Sequence, residues 1–231
     1  ALDDVSVDIR NGEKIAIVGE NGAGKTTFVS LLVNLISCSS GRVLLNGIDI
    51  NAYERGELKS FFGVVCQDYQ IYPVSVRDNV SINGPIADAD IIDAIQKVGL
   101  ADRINDINIA IGKEINDKGL VLSGGERQRL ALARVAANKF SVVILDEPTS
   151  ALDALTEKNI NQLILNALRD IGSTLIFISH KLSTTKLVDR ILVFDNGRIV
   201  EDGNHEELMK QGGLYSKMYQ AQSNMYKGKS V

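Results

Sequence analysis

Short apolar runs alternate along the chain with longer segments whose apolar positions recur every three or four residues. "KIAIVG", Lys14 to Gly19, is an apolar run closed by glycine and predicts a buried strand. "SVVILDEP" (141–148) and "STLIFISH" (173–180) are runs of the same kind, one ending in two carboxylates and the other in a histidine. "GKTTFVSLLVNLI" places Phe28, Leu31, Leu32, Leu35 and Ile36 at helical spacing, and "TEKNINQLILNALRDIG" predicts a second amphipathic helix. "GRVLLNGIDI" and "DRILVFDNGRIVEDG" each carry an Asn-Gly pair between apolar positions, a hairpin signal, and "FFGVVCQ" reads as a further strand. From about 75 to 137 the chain turns mostly helical, with "SVRDNVSI" and "DADIIDAIQKVGL". "NHEELMKQGGLYSKMYQAQ" closes it with helices, the last packing a stripe of Tyr215, Met218 and Tyr219 onto the core. Strands alternating with helices predict an α/β fold: a parallel sheet, an antiparallel β piece near the start and a helical insertion.

Composition narrows the classes. With 231 residues the chain can bury a real core, and its net charge of −4 gives no support to a general nucleic-acid-binding role. Cys38 and Cys66 lack paired ligand spacing and are expected to be reduced, buried small hydrophobes in a cytosolic compartment. No apolar run reaches the length of a bilayer crossing. The chain starts at Ala1, in what reads as mid-domain sequence, so it is expected to be a fragment cut from something longer.

"GENGAGKT", Gly19 to Thr26, fits the phosphate-binding loop pattern between a predicted strand and a predicted helix. Its intervening residues Glu20, Asn21, Gly22, Ala23 and Gly24 present backbone amides that can curl around phosphate oxygens. Lys25 supplies charge to the β- and γ-phosphates, and Thr26 a hydroxyl to Mg²⁺. Asp146 ends an apolar run where such folds need a carboxylate for Mg²⁺, and Glu147 follows it facing another way. His180 also ends a strand, and a parallel sheet brings such ends to the edge that carries the loop. On its own, Gln67 would be anonymous.

"VLSGGERQRLALAR" (121–134) reads as a helix start with a capping box from Ser123 and Glu126. Yet Gly124 and Gly125 occupy its first turn, against helix propensity. Bare amides at a helix start form an anion site, in a chain already equipped with one.

Together, "GENGAGKTT", "CQD", "LSGGERQR", "VILDEPTSALD" and "ISH", in this order, resemble the nucleotide-binding domain of ATP-binding cassette (ABC) proteins, exporter type, over nearly the whole chain. That resemblance implies a P-loop NTPase with a RecA-like parallel sheet core (about 1–66 and 136–231) and a helical subdomain (about 67–135). It implies ATP and Mg²⁺ as ligands, with Lys25, Glu147, His180 and Gln67 catalytic. Thr27 would contact the α-phosphate, Gln67 would sense Mg²⁺, and Thr26 and Asp146 would serve the metal. In the family two domains pair head to tail, so Ser123, Gly124 and Gly125 would close on the partner's γ-phosphate, with Asp153 facing that partner. The other partners implied are transmembrane domains, at the cytoplasmic face of a membrane, and no nucleic acid. Exporter features are "IYPVSVRDNVSI", "ISHKLST", the tail from Glu201, and "EINDKG", with Asp117 where a glutamate is usual. Tyr69, Ile71 and Tyr72 would border a groove for a membrane-domain helix. No Phe, Tyr or Trp precedes Phe28, so the ring on which the family stacks adenine has no counterpart, and weaker ATP binding than in an upstream-extended chain is expected. A DNA-repair ATPase would need a long coiled coil between Lys25 and Ser123, for which there is no room. A ribosome-associated ATPase is disfavoured by charge and tail, and a non-hydrolysing dimerisation module by Glu147 and His180.

Overall fold

A computed structural model describes residues 2–113, 117–146, 162, 172–179 and 181–227. Two compact units emerge, one from residues 1–62 with 174–231 and the other from residues 63–173.

In the first unit, β1 (Lys14–Gly19) lies between β6 (Thr174–Ile178) and β7 (Arg190–Asp195), parallel to both. Ile15, Ala16, Ile17 and Val18 are fully buried, as are Leu175 and Leu192, which explains the near-continuous apolar runs: both faces are covered. β8 (Arg198–Gly203) returns antiparallel to β7 through Asn196 and Gly197, both at positive φ, as a tight two-residue turn requires. The other Asn-Gly pair, Asn46-Gly47, does the same between β2 (Leu44–Leu45) and β3 (Ile48–Asp49).

Helix α1 (Lys25–Leu32) is shorter than its pattern predicts. Asn34 turns left-handed at φ 55°, and Leu35 and Ile36 are exposed instead of continuing the buried face. α2 (Arg55–Phe61) follows the hairpin, and a 3-10 turn (Leu182–Leu187) precedes β7. Two closing helices, α6 (His205–Gln211) and α7 (Leu214–Lys227), match the sequence reading. α6 starts with a capping box of Asn204 and Glu207. Tyr215 is fully buried, and its hydroxyl lies 2.6 Å from Thr185 Oγ1 and 2.7 Å from His205 Nδ1.

In the second unit β4 (Phe62–Val65) neighbours β5 (Val142–Asp146). Among its described residues three helices follow: α3 (Val76–Val80), α4 (Asp88–Lys97) and α5 (Gly124–Asn138), with α5 packed on both others. Gly63 is required by sterics, because a Cβ there would come within 2.4 Å of the Phe140 ring. The stretch expected to be mostly helical is interrupted between α4 and α5 by irregular backbone, tied by bridges Ser75–Ala110 and Ile111–Leu120. The amphipathic helix predicted over 156–172 lies almost wholly outside the described residues. No helix among them is long and apolar enough to cross a membrane.

Candidate nucleotide-binding site

The loop after β1 is shaped by glycines and by its back wall. Gly19 sits at φ 150°, and a Cβ there would lie 2.2 Å from the Phe194 carbonyl of β7, so no other residue fits. Phe194 also packs on Phe28 of α1, ring centroids 5.3 Å apart, which fixes helix to strand beneath the loop. Gly22 and Gly24 take positive φ as well. The Gly197 amide at the β7–β8 turn donates to the Ala23 carbonyl at 3.0 Å. Because a trans peptide points its C=O and N–H oppositely, this bond turns the Gly24 amide away from the hairpin. Lys25 is almost wholly buried, and its Nζ donates to the carbonyls of Gly19 and Glu20, each at 2.8 Å. Its charge is thus held at the mouth of the loop, beside the start of a helix with no acidic residue in its first turn. Glu20, Asn21 and Thr26 are exposed, and Thr27 is half-buried.

In the second unit Asp146 ends β5 half-buried, its carboxylate near the Cys66 thiol. Burial first, then Asp146 and Asp68, push that thiol above its usual value. Gln67 follows Cys66 and is exposed. The two cysteines depart from expectation: Cys66 is exposed and Cys38 half-buried, since β4 ends before Cys66 and Cys38 lies beyond the early stop of α1.

The helix start predicted at Ser123 is present with its full capping box. Ser123 Oγ accepts from the Glu126 amide at 3.3 Å, and Glu126 Oε2 accepts from the Ser123 amide at 2.8 Å. That amide, opposed by burial and aided by Arg103 at 2.8 Å, holds the Glu126 carboxyl below its ordinary range. Gly124 is exposed, and a Cβ placed on it would meet nothing within 4 Å. Among the described residues, nothing demands glycine there.

Glu147, His180 and Asp153 lie outside the described residues. Sequence reasoning placed Tyr69 beside a docking groove but did not foresee that its hydroxyl donates to the Gly124 carbonyl at 3.3 Å, and it missed Asn79, fully buried at the start of the helical region. Asn79 Oδ1 accepts from the Tyr72 amide and from Arg134 of α5, both at 3.0 Å, while its Nδ2 donates to the carbonyls of Tyr72 and Ser75. A buried asparagine signature of this kind has no periodicity to betray it. Tyr72, Val74 and Ile82, in the same stretch of chain, are each exposed.

A glycine-shaped phosphate loop on a parallel sheet defines the class of P-loop nucleotide-binding proteins. Within it, the family model described as "ABC transporter" matches residues 2–150, and the chain belongs to the ABC transporter family. It is 36% identical over 222 residues, 95% of its length, to an ATP-dependent lipid A-core flippase of Francisella tularensis subsp. tularensis, covering 36% of that protein. It is 39% identical over 224 residues, 96% of its length, to the ATP-dependent lipid A-core flippase of Methylobacillus flagellatus, covering 38% of it. Among solved structures it is similar to a bacterial Atm1-family ABC exporter with ATP bound, with TM-score 0.84 and 35% identity over 96% of this chain and 38% of that one. The chain therefore spans little more than a third of the length of these relatives.

Proposed function

We propose that the chain is the ATP-binding and ATP-hydrolysing motor domain of a membrane exporter, pairing head to tail with a second such domain around ATP. The observation that carries this reading is the presence in one chain of a phosphate cradle at Gly19–Thr26 and of a second helix start whose first glycine is exposed and would meet nothing within 4 Å among the described residues. Glycine at 124 is then reserved for something approaching from outside: the partner's triphosphate.

In this reading the amides from Gly19 to Thr27, with Lys25, hold the phosphates. The residues fit Mg²⁺ by donor chemistry: the Thr26 hydroxyl, exposed, and the Asp146 carboxylate are hard oxygen donors. Mg²⁺ takes few protein ligands and completes its shell with phosphates and water. When bound, Mg²⁺ would neutralise charge on the phosphates. Glu147 accepts a proton from the attacking water as its oxygen bonds to the γ-phosphorus and the bond to the ADP oxygen breaks. His180 holds the γ-phosphate in line, and Gln67 senses the occupied site. Loss of the shared γ-phosphate removes the anion that joins the two domains, and they part. Transmembrane domains of the same transporter would take up that motion at the cytoplasmic face of the membrane.

Glu147→Gln is the test. Hydrolysis should fall by about 10²- to 10⁴-fold, while a dimer accumulates with ATP on size-exclusion chromatography with light scattering. Surviving turnover would remove Glu147 as the base.

A further inference from the structure

Two glycines at a helix start leave its first peptides loosely held. An anion site made of those peptides needs them aimed. The Gly124–Gly125 peptide has an external tie: the Tyr69 hydroxyl, from the segment just after Gln67, donates to the Gly124 carbonyl at 3.3 Å. In a trans peptide the Gly125 amide must then point the opposite way, out of the helix start. The same device operates in the phosphate loop, where the Gly197 amide holds the Ala23 carbonyl and so aims the Gly24 amide.

The segment bearing Tyr69 is itself anchored to α5. Arg134 donates from Nε to the Asn79 carbonyl at 2.8 Å and reaches Asn79 Oδ1, and Asn79 grips Tyr72 through both its amide and its carbonyl. The Arg134 guanidinium also lies over the Tyr72 ring, 5.8 Å from its centroid. Residues 69–75 are thus fastened to the helix at Gly124 in its first turn and again at Arg134, near its far end. Tyr69 is half-buried, so its ring is partly fixed before the hydroxyl makes its bond.

We propose that Tyr69 is a positioning residue that aims the Gly125 amide at the partner domain's phosphate. This rests on the reading of the first turn of α5 as the partner-facing anion site. Tyr69 touches no nucleotide itself. It acts through one peptide, and it joins the exit from Gln67 to the surface that receives the other copy.

The test uses Glu147→Gln protein, in which ATP is held without turnover, with and without Tyr69→Phe. Removing the hydroxyl keeps the ring, so melting temperature should stay within about 2 °C, and the affinity of dilute, monomeric protein for ATP should be unchanged. The dissociation constant of the ATP-bound dimer, read by sedimentation velocity, should rise by about 5- to 100-fold, since two such bonds are lost per dimer. A general loss of packing would instead lower the melting temperature and weaken ATP binding by the monomer, and that pattern would overturn the proposal. So would equal dimer affinities in the two proteins, leaving the motor-domain reading intact. No ATP-dependent dimer in Glu147→Gln alone would overturn both.

Discussion

Gly124 sets intrinsic stability and function against each other within one residue. Its φ is ordinary, and a methyl group there would meet no neighbour among the described residues. Gly124→Ala should therefore stabilise the isolated chain by up to about 1 kcal/mol through helix propensity. If the site lies between two copies, the same methyl would stand where a phosphate must approach, and ATP-driven pairing and turnover should drop by an order of magnitude or more. Calorimetry and a phosphate-release assay on one preparation check both signs. A rise in both quantities would place the partner's nucleotide elsewhere. Gly19 behaves differently: its conformation and the Phe194 carbonyl forbid any side chain for reasons wholly internal to the fold.

At the scale of elements, the closing helices fasten the 3-10 turn that begins two positions after His180. If Thr185 donates to the Leu182 carbonyl at 2.6 Å, the Tyr215 phenol donates to Thr185 and His205 donates from Nδ1, giving a one-way chain of hydrogen bonds. The Leu182 amide also donates to Gln222 of α7 at 2.9 Å. Burial pushes the Tyr215 phenol up to about 12, so it remains a donor throughout the working range. Tyr215→Phe should cost about 1–3 kcal/mol by leaving buried partners unmet, measured by urea unfolding. Burial, then the Lys186 ammonium, holds the His205 imidazole below its usual value, with Glu206 opposing and the Tyr215 and Tyr219 rings packed beside it. The unfolded chain takes the proton first, so stability from this ring is full above about pH 6.5 and is lost as pH falls through the folded value. His205→Gln should flatten the fall in melting temperature between about pH 7 and 5; unchanged slopes would place the pH sensitivity in other groups. The elements themselves were legible where periodicity was strong: β1, β6, β7, β8, α6 and α7 match their patterns. Three things were not. Asn34 cuts α1 short although apolar spacing continues, the stretch between α4 and α5 satisfies itself by isolated bridges, and Tyr69–Gly124 joins residues with no sequence rule connecting them.

For the whole molecule, the hallmark segments reveal the family because each is a local requirement of phosphate chemistry, readable without the fold. Their assembly into a working centre is a different matter, since the reading places half of each site on another copy. Turnover should consequently depend on protein concentration. Diluted below the dimer dissociation constant at saturating ATP, activity per chain should fall in proportion to concentration, and a coupled assay over two decades of dilution would reveal it. Constant activity per chain would mean that one copy suffices and would end the head-to-tail scheme.

The two carbonyl bonds made by Lys25 change how its substitutions are read. Its ammonium staples the two carbonyls that begin the loop, Gly19 and Glu20, while its stem is buried. If Lys25 holds phosphate as proposed, its replacement by an uncharged residue deletes that ligand and, in the same stroke, a brace between the two carbonyls that begin the loop, so such a variant is as much a mutant of shape as of charge.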